Sequence, residues 1–68
     1  MNVKVNGEDR ELDSVRNLRE LLLKMQIDPA GPGMAVALNG RVVSRPEYAT
    51  TEVQEGDRIE IVRAVQGG

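Results

Sequence analysis

The sequence predicts a two-layer α+β domain, one sheet packed on one main helix, and three observations predict it. Two Asn-Gly pairs, Asn6-Gly7 and Asn39-Gly40, lie between strand-like segments, the mark of a hairpin turn. Leu18, Leu21, Leu22 and Met25 repeat at i, i+3, i+4 and i+7, which is one stripe of a helix. A last alternating run, Arg58 to Val65, follows a Gly56-Asp57 turn.

The elements follow in order. Asn2 to Asn6 alternates polar and apolar residues, with Val3 and Val5 on one face of a first strand. Asn6 and Gly7 both tolerate positive φ and turn the chain. The returning strand is expected over Arg10-Glu11-Leu12-Asp13, with Leu12 facing inward and Glu8 and Asp9 widening the turn. Asn17 is the expected helix N-cap, because its side-chain oxygen can accept a free N–H of the first turn. Glu20, three residues on, is placed to reach back to the Asn17 backbone as a capping box. Arg16, Arg19, Glu20 and Lys24 take the wet side, and Leu23 falls off the stripe. Asp28-Pro29 stops the helix, since the residue before a proline avoids helical angles.

Ala30-Gly31-Pro32-Gly33 reads as a surface connection. Met34 to Leu38, Asn39-Gly40 and Arg41-Val42-Val43 form the second hairpin. Arg45-Pro46-Glu47-Tyr48 is a turn or one short helical turn, with Tyr48 a packing residue. The expected core is Val3, Val5, Leu12, Leu18, Leu21, Leu22, Met25, Val36, Leu38, Ile59 and Ile61.

Composition excludes several classes of function. The 68 residues make one small domain, near the lower limit for a chain that folds alone. There is no cysteine, so neither a disulfide nor a thiol nucleophile is available. There is no histidine, so Ser14 and Ser44 lack the usual base that activates a hydroxyl. Catalytic and metal-ligating residues are therefore expected to be none. The net charge of −2 and the lone aromatic, Tyr48, argue against nucleic acid. No stretch is long and apolar enough to span a membrane, and Met1-Asn2-Val3-Lys4-Val5 does not have the form of a secretion signal. A cytoplasmic monomer is the expectation.

What remains is the end of the chain. Gln66-Gly67-Gly68 follows the last strand as a slim tail, expected to be flexible over residues 66–68 of a single domain spanning residues 1–68. A slim tail enters another protein's active site where a folded surface does not. From Val65 to Gly68 it can reach about 13 Å, at ~3.3–3.6 Å per residue. Gly68 has no side chain to block approach to its carboxylate, and Gly67 adopts backbone angles closed to other residues. Beside the tail, the open face of the last strand presents Arg58, Glu60, Val62 and Ala64. Val62 and Ala64 are the candidate docking patch, and Arg58 and Arg63 the candidate partners for acidic groups.

The element order, the helix Leu18-Arg19-Glu20-Leu21-Leu22 and the hairpin Val36-Ala37-Leu38-Asn39-Gly40 resemble the ThiS family of ubiquitin-like sulfur carriers. So do Gly56-Asp57-Arg58-Ile59-Glu60-Ile61 and the Gly67-Gly68 end. The resemblance implies a β-grasp fold, a mixed sheet of about five strands on one main helix. It also implies a cycle serving thiazole formation in thiamin biosynthesis. A ThiF-like adenylyltransferase, using ATP and magnesium, activates the Gly68 carboxylate. A sulfur donor such as a cysteine desulfurase system then makes a thiocarboxylate, and a ThiG-like thiazole synthase takes the sulfur. The chain itself binds no cofactor in this cycle and is not an enzyme. Glu60 and Ala64 make the open face less apolar than the family pattern. Related alternatives are the small subunit of molybdopterin synthase (MoaD-like) and a ubiquitin-like protein modifier. A more distant one is an interaction module that uses an exposed sheet edge.

Overall fold

The fold was analysed in a computed structural model that describes residues 1–63. The strands are β1 (Asn2–Val5), β2 (Glu8–Glu11), β3 (Met34–Leu38), β4 (Arg41–Val43) and β5 (Arg58–Arg63). The helix α1 spans Leu18–Lys24, and a 3₁₀ helix spans Arg45–Thr50. The expected strand positions Ala64 and Val65, and the tail Gln66, Gly67 and Gly68, lie outside the described residues.

The strands form one sheet in the order β2-β1-β5-β3-β4. β1 and β5 run parallel, and the other neighbours are antiparallel. The last described strand is thus the middle of the sheet. One face of the sheet carries Val3, Val5, Val36, Ile59 and Ile61 against Leu18, Leu21 and Leu22 of α1, all buried. Fully burying each leucine contributes roughly 1.5–3 kcal/mol before entropy is subtracted.

Both Asn-Gly turns form as expected. Asn6 and Asn39 have φ of 51° and 50°, and Gly7 and Gly40 have φ of 82° and 85°, so each pair occupies left-handed space together. The first turn is tighter than expected. Val5 pairs directly with Glu8, so Glu8 and Asp9 are strand residues and do not widen the loop. Leu12 falls just past β2 and is half-buried at the core margin. The two-residue turn matches strand twist, and this fixes the shorter register.

The helix is capped at both ends. The Asn17 side chain accepts the Glu20 N–H at 2.9 Å, as expected. The Glu20 carboxylate reaches one residue further back than expected and accepts from the Arg16 N–H at 2.8 Å. The chain entering the helix is extended at Asn17, where Asn17 and Glu52 form an isolated antiparallel bridge. Leu18 N–H donates to the Thr51 carbonyl and Val53 N–H to the Arg16 carbonyl, both at 3.0 Å. That bridge lays Arg16 along a second chain and turns Val15 and Val53 into the core, where sequence periodicity did not place them.

The helix ends at Lys24, earlier than Asp28-Pro29 requires. Ile27 N–H donates to the Leu22 carbonyl at 2.8 Å and Gln26 N–H to the Leu23 carbonyl at 3.0 Å, which is a Schellman motif. Gln26 occupies the left-handed position of that motif, with φ of 62°. Met25 is the C-cap and is half-buried, as is Leu38 on β3. Leu23, off the stripe, is 47% exposed.

The segment after β4 is a longer helical piece than expected. Tyr48 sits in it at 3% exposure and closes the core beside α1. At its start, Ser44 Oγ donates to the Glu47 carboxylate at 2.6 Å, and Ser44 N–H donates to the same oxygen at 3.4 Å. The hydroxyl bond, then the backbone bond, holds the Glu47 carboxyl below the usual glutamate range.

Two predictions follow from these ends. Glu47 has a lowered folded-state pKa, so its capping contribution is present above the unfolded-state pKa and lost as pH falls through the folded one. In an NMR titration, Ser44→Ala is expected to move the Glu47 midpoint up toward the ordinary range. An unchanged midpoint would remove Ser44 as the cause. Separately, Gln26→Gly relieves a left-handed non-glycine residue and is expected to raise unfolding stability by about 0.5–1 kcal/mol in urea. A loss of stability would show that the Gln26 conformation carries no strain.

Candidate functional site

Among the described residues nothing covers the sheet face away from α1, and β5 runs through its middle. Along β5, Ile59 and Ile61 point to the core, while Arg58, Glu60 and Val62 point out and are exposed. This is the alternation the sequence predicts. Ala64, also expected on this face, lies outside the described residues.

Register places neighbours beside these residues. Ala35 of β3 is opposite Val62, and Ala37 is opposite Glu60 on one side and Val42 of β4 on the other. Cross-strand partners share a face. Val62 and Val42 are 66% and 79% exposed, so Val62, Ala35, Ala37 and Val42 form an apolar patch across β5, β3 and β4. Sequence reasoning found Val62 and missed the other three. The signal was present, because the alternation of Met34 to Leu38 that turns Val36 inward turns Ala35 and Ala37 outward.

The other half of the face is charged. Lys4 of β1 and Arg58 of β5 are register partners on the same side of the sheet. Like charges side by side repel. Asp9 offsets this for Lys4, with its carboxylate 3.6 Å from Nζ. A shallow hollow of about 300 Å³ lies here, lined by Lys4, Gly7, Gly40, Arg58, Ile59 and Glu60. Glu60 lines it too, so the hollow presents charges of both signs.

The base of the tail strand is fastened from both flanks by the two turn asparagines. Ile61 N–H donates to Asn6 Oδ1 at 2.8 Å, and Asn6 Nδ2 donates to the Ile61 carbonyl at 3.2 Å. Asn6 N–H also donates to the Ile59 carbonyl at 2.9 Å. The Asn6 side chain thereby continues the β1–β5 ladder where β1 has already turned away. On the other flank, Arg58 N–H donates to Asn39 Oδ1 at 2.9 Å, and Asn39 N–H donates to the Arg58 carbonyl at 2.7 Å. Asn39 Nδ2 donates to Asp57 Oδ1 at 3.0 Å. Sequence reasoning identified both asparagines as turn formers and did not see their second role.

Among the described residues there is no group of three or more histidine, cysteine, aspartate or glutamate side chains able to hold a metal ion. No helix among the described residues is long and apolar enough to cross a membrane. No buried side-chain nitrogen or oxygen among the described residues lacks a hydrogen-bond partner.

Comparison with known proteins agrees with this geometry. The model of the ThiS family matches residues 3–68. The sulfur carrier protein ThiS of Escherichia coli is 31% identical over the whole of both chains. The crystal structure of the thiamine biosynthesis protein ThiS from Geobacter metallireducens superposes with a TM-score of 0.81 at 33% identity, covering all of both chains. A thiazole synthase of Paramagnetospirillum magneticum is 32% identical over this whole chain, which spans 20% of that relative's length. The sheet order, the single packed helix of the described residues and the solved relative define a β-grasp domain of the ubiquitin-like kind. Within that class, the chain belongs to the ThiS family.

An exposed residue that serves an interface is replaceable without loss of the fold. Val62→Lys and Val42→Lys are each expected to change unfolding stability by less than about 0.5 kcal/mol in urea denaturation. A loss above about 2 kcal/mol for either would make it a packing residue and remove it from the candidate face.

Proposed function

We propose that the protein is a sulfur carrier for thiazole formation in thiamin biosynthesis, with the Gly68 carboxylate as its cargo site. The observation that carries this reading is the extent of the family match. The matched range extends to residue 68, which supports a role for the tail in what the family does. The name of the E. coli relative, a sulfur carrier matched over its whole length, supports the same reading.

The chemistry explains why such an end is useful. A carboxylate resists nucleophiles because its charge and resonance are lost on attack. A ThiF-like partner joins the Gly68 carboxylate to the α-phosphorus of ATP, with magnesium held by that partner, and pyrophosphate leaves. The acyl adenylate is neutral at the carbonyl and has AMP as a good leaving group. A persulfide from a cysteine desulfurase system attacks the carbonyl and displaces AMP, giving an acyl disulfide. A thiol then reduces the S–S bond, leaving the thiocarboxylate on Gly68 and a disulfide on the donor side. Gly68 has no chiral centre to lose and no Cβ to obstruct either attack. The chain supplies a substrate end and a docking face, and the catalysis belongs to its partners.

The face has the parts that transient docking needs. The patch of Val42, Val62, Ala35 and Ala37 offers apolar area with small side chains. Arg58, exposed beside this patch, is the side chain placed to meet an acidic group of a partner and speed encounter. The matches to thiazole synthases point to the acceptor. In the relative from P. magneticum a stretch similar to this chain lies within a protein named thiazole synthase, which supports a ThiG-like synthase as the partner that takes the sulfur.

Intact-mass analysis tests the reading. After incubation with ATP, magnesium, a sulfur donor and a ThiF-type enzyme, one oxygen is expected to be replaced by sulfur at Gly68. Val62→Lys is expected to slow this by about tenfold or more through weaker docking, equivalent to ~1.4 kcal/mol. No conversion by an enzyme that activates its own carrier would overturn the proposal. Conversion at an unchanged rate in Val62→Lys would leave the carrier role and remove Val62 from the docking face.

A further inference from the structure

We propose that Asn6 and Asn39 are latent deamidation sites, closed by the fold and opened by unfolding, whose conversion weakens the fastening of β5. Both asparagines precede glycine. Glycine lacks the side chain that elsewhere hinders the next backbone nitrogen from attacking the asparagine carboxamide. In an unfolded chain that attack is open at both positions.

The chemistry balances with water alone. The glycine nitrogen loses its proton and bonds to Cγ of the asparagine. The Cγ–Nδ2 bond breaks, and the amide nitrogen leaves as ammonia after taking up a proton. The resulting cyclic imide adds water at either carbonyl. One product is aspartate. The other is isoaspartate, whose main chain runs through the former side chain and is longer by one atom.

The native structure holds both carboxamides away from this route. Cγ must rotate toward the glycine nitrogen, and in each case two bonds to neighbouring chain oppose that rotation. At Asn6 they are the paired bonds to the Ile61 main chain, at 2.8 and 3.2 Å. At Asn39 they are the bond from Arg58 N–H at 2.9 Å and the bond to Asp57 Oδ1 at 3.0 Å. A main-chain bond to β5 backs each of them, from Asn6 to Ile59 and from Asn39 to Arg58. Access therefore requires opening of the β5 flank, and the rate in the native protein is the unfolded rate multiplied by the open fraction.

The products do not fit. At Asn39 the group that faces Asp57 Oδ1 at 3.0 Å is a donor. Conversion to aspartate sets two carboxylates at that separation, and like charges so close cannot both ionise without cost. At Asn6 a carboxylate oxygen replaces the donor that faces the Ile61 carbonyl. Isoaspartate at either position adds a main-chain atom to a two-residue turn, whose length sets the register of the hairpin. Each conversion thus strikes the strand through one of its two fastenings. Because the products refold poorly, the chain keeps a covalent record of having been unfolded.

The test compares the folded protein with peptides of its own sequence. The intact 68-residue chain and synthetic peptides spanning residues 2–11 and 34–43 are incubated in one native buffer, and isoaspartate is measured by peptide mapping. Both asparagines are expected to convert at least about tenfold more slowly in the folded chain than in the peptides. Adding urea to the folded chain is expected to remove that protection at both positions. Equal rates in native chain and peptides would overturn the proposal. Asn39→Asp tests the second half. Its Tm at neutral pH is expected to fall by roughly 4–8 °C or more, with partial recovery in acid where one carboxyl is protonated. An unchanged Tm would overturn the claim that conversion unfastens β5.

Discussion

The seating of β5 between β1 and β3 is the constraint on which the rest of the domain depends. A central strand must satisfy its main chain on both sides and bury one face completely. β3 covers one side of β5 from Ile59, opposite Leu38, to Arg63, opposite Met34. β1 pairs only with Arg58 and Ile59 before it turns away. The Asn6 carboxamide supplies the next rung with two bonds that imitate a peptide unit. The same two-residue turn that reverses β1 into β2 therefore also completes the far flank of β5. Asn39 repeats the device at the other end of the strand. A small domain without a disulfide gains rigidity where a tail must leave it by letting turn residues do two jobs.

That economy sets what the sequence could reveal. The Asn-Gly turns, the Leu18-Leu21-Leu22 stripe and the alternation of β5 were legible because each is a short-range pattern with a mechanical cause. The N-cap at Asn17 was legible for the same reason. Long-range consequences were not. Val15 and Val53 belong to no periodic run, and they are buried because Asn17 and Glu52 form a bridge across the sequence. The Glu20 carboxylate went to Arg16 N–H because that bridge extends the incoming chain. Ending the helix at Asp28-Pro29 overlooked Gln26, which accepts a left-handed conformation without being glycine.

The candidate face was half legible. Arg58, Glu60 and Val62 follow from alternation along one strand, but a patch is a property of several strands, and register decides who stands beside whom. Ala35, Ala37 and Val42 join Val62 only once β3 is known to lie between β4 and β5. The patch is flat and built mostly of small side chains. Such a surface excludes water without offering a deep pocket, and area of that kind gives modest affinity after the costs of association. Contacts made by such a face are readily reversed.

The position of β5 also bears on the birth of the protein. It is the last of the described strands to be synthesised and the middle one in space, with Asn6 and Ile61 joined across 55 residues of chain. The first hairpin and the helix can form while the ribosome is still working, since their contacts are local. The two halves of the sheet, β2-β1 and β3-β4, have no common edge until β5 arrives to join them. Closure of the sheet is therefore a late event with a long loop to close, and it waits for the segment that leads into the tail. An immature chain has no finished outer face, so the patch across β5, β3 and β4 and the closed sheet come into being in a single step of folding.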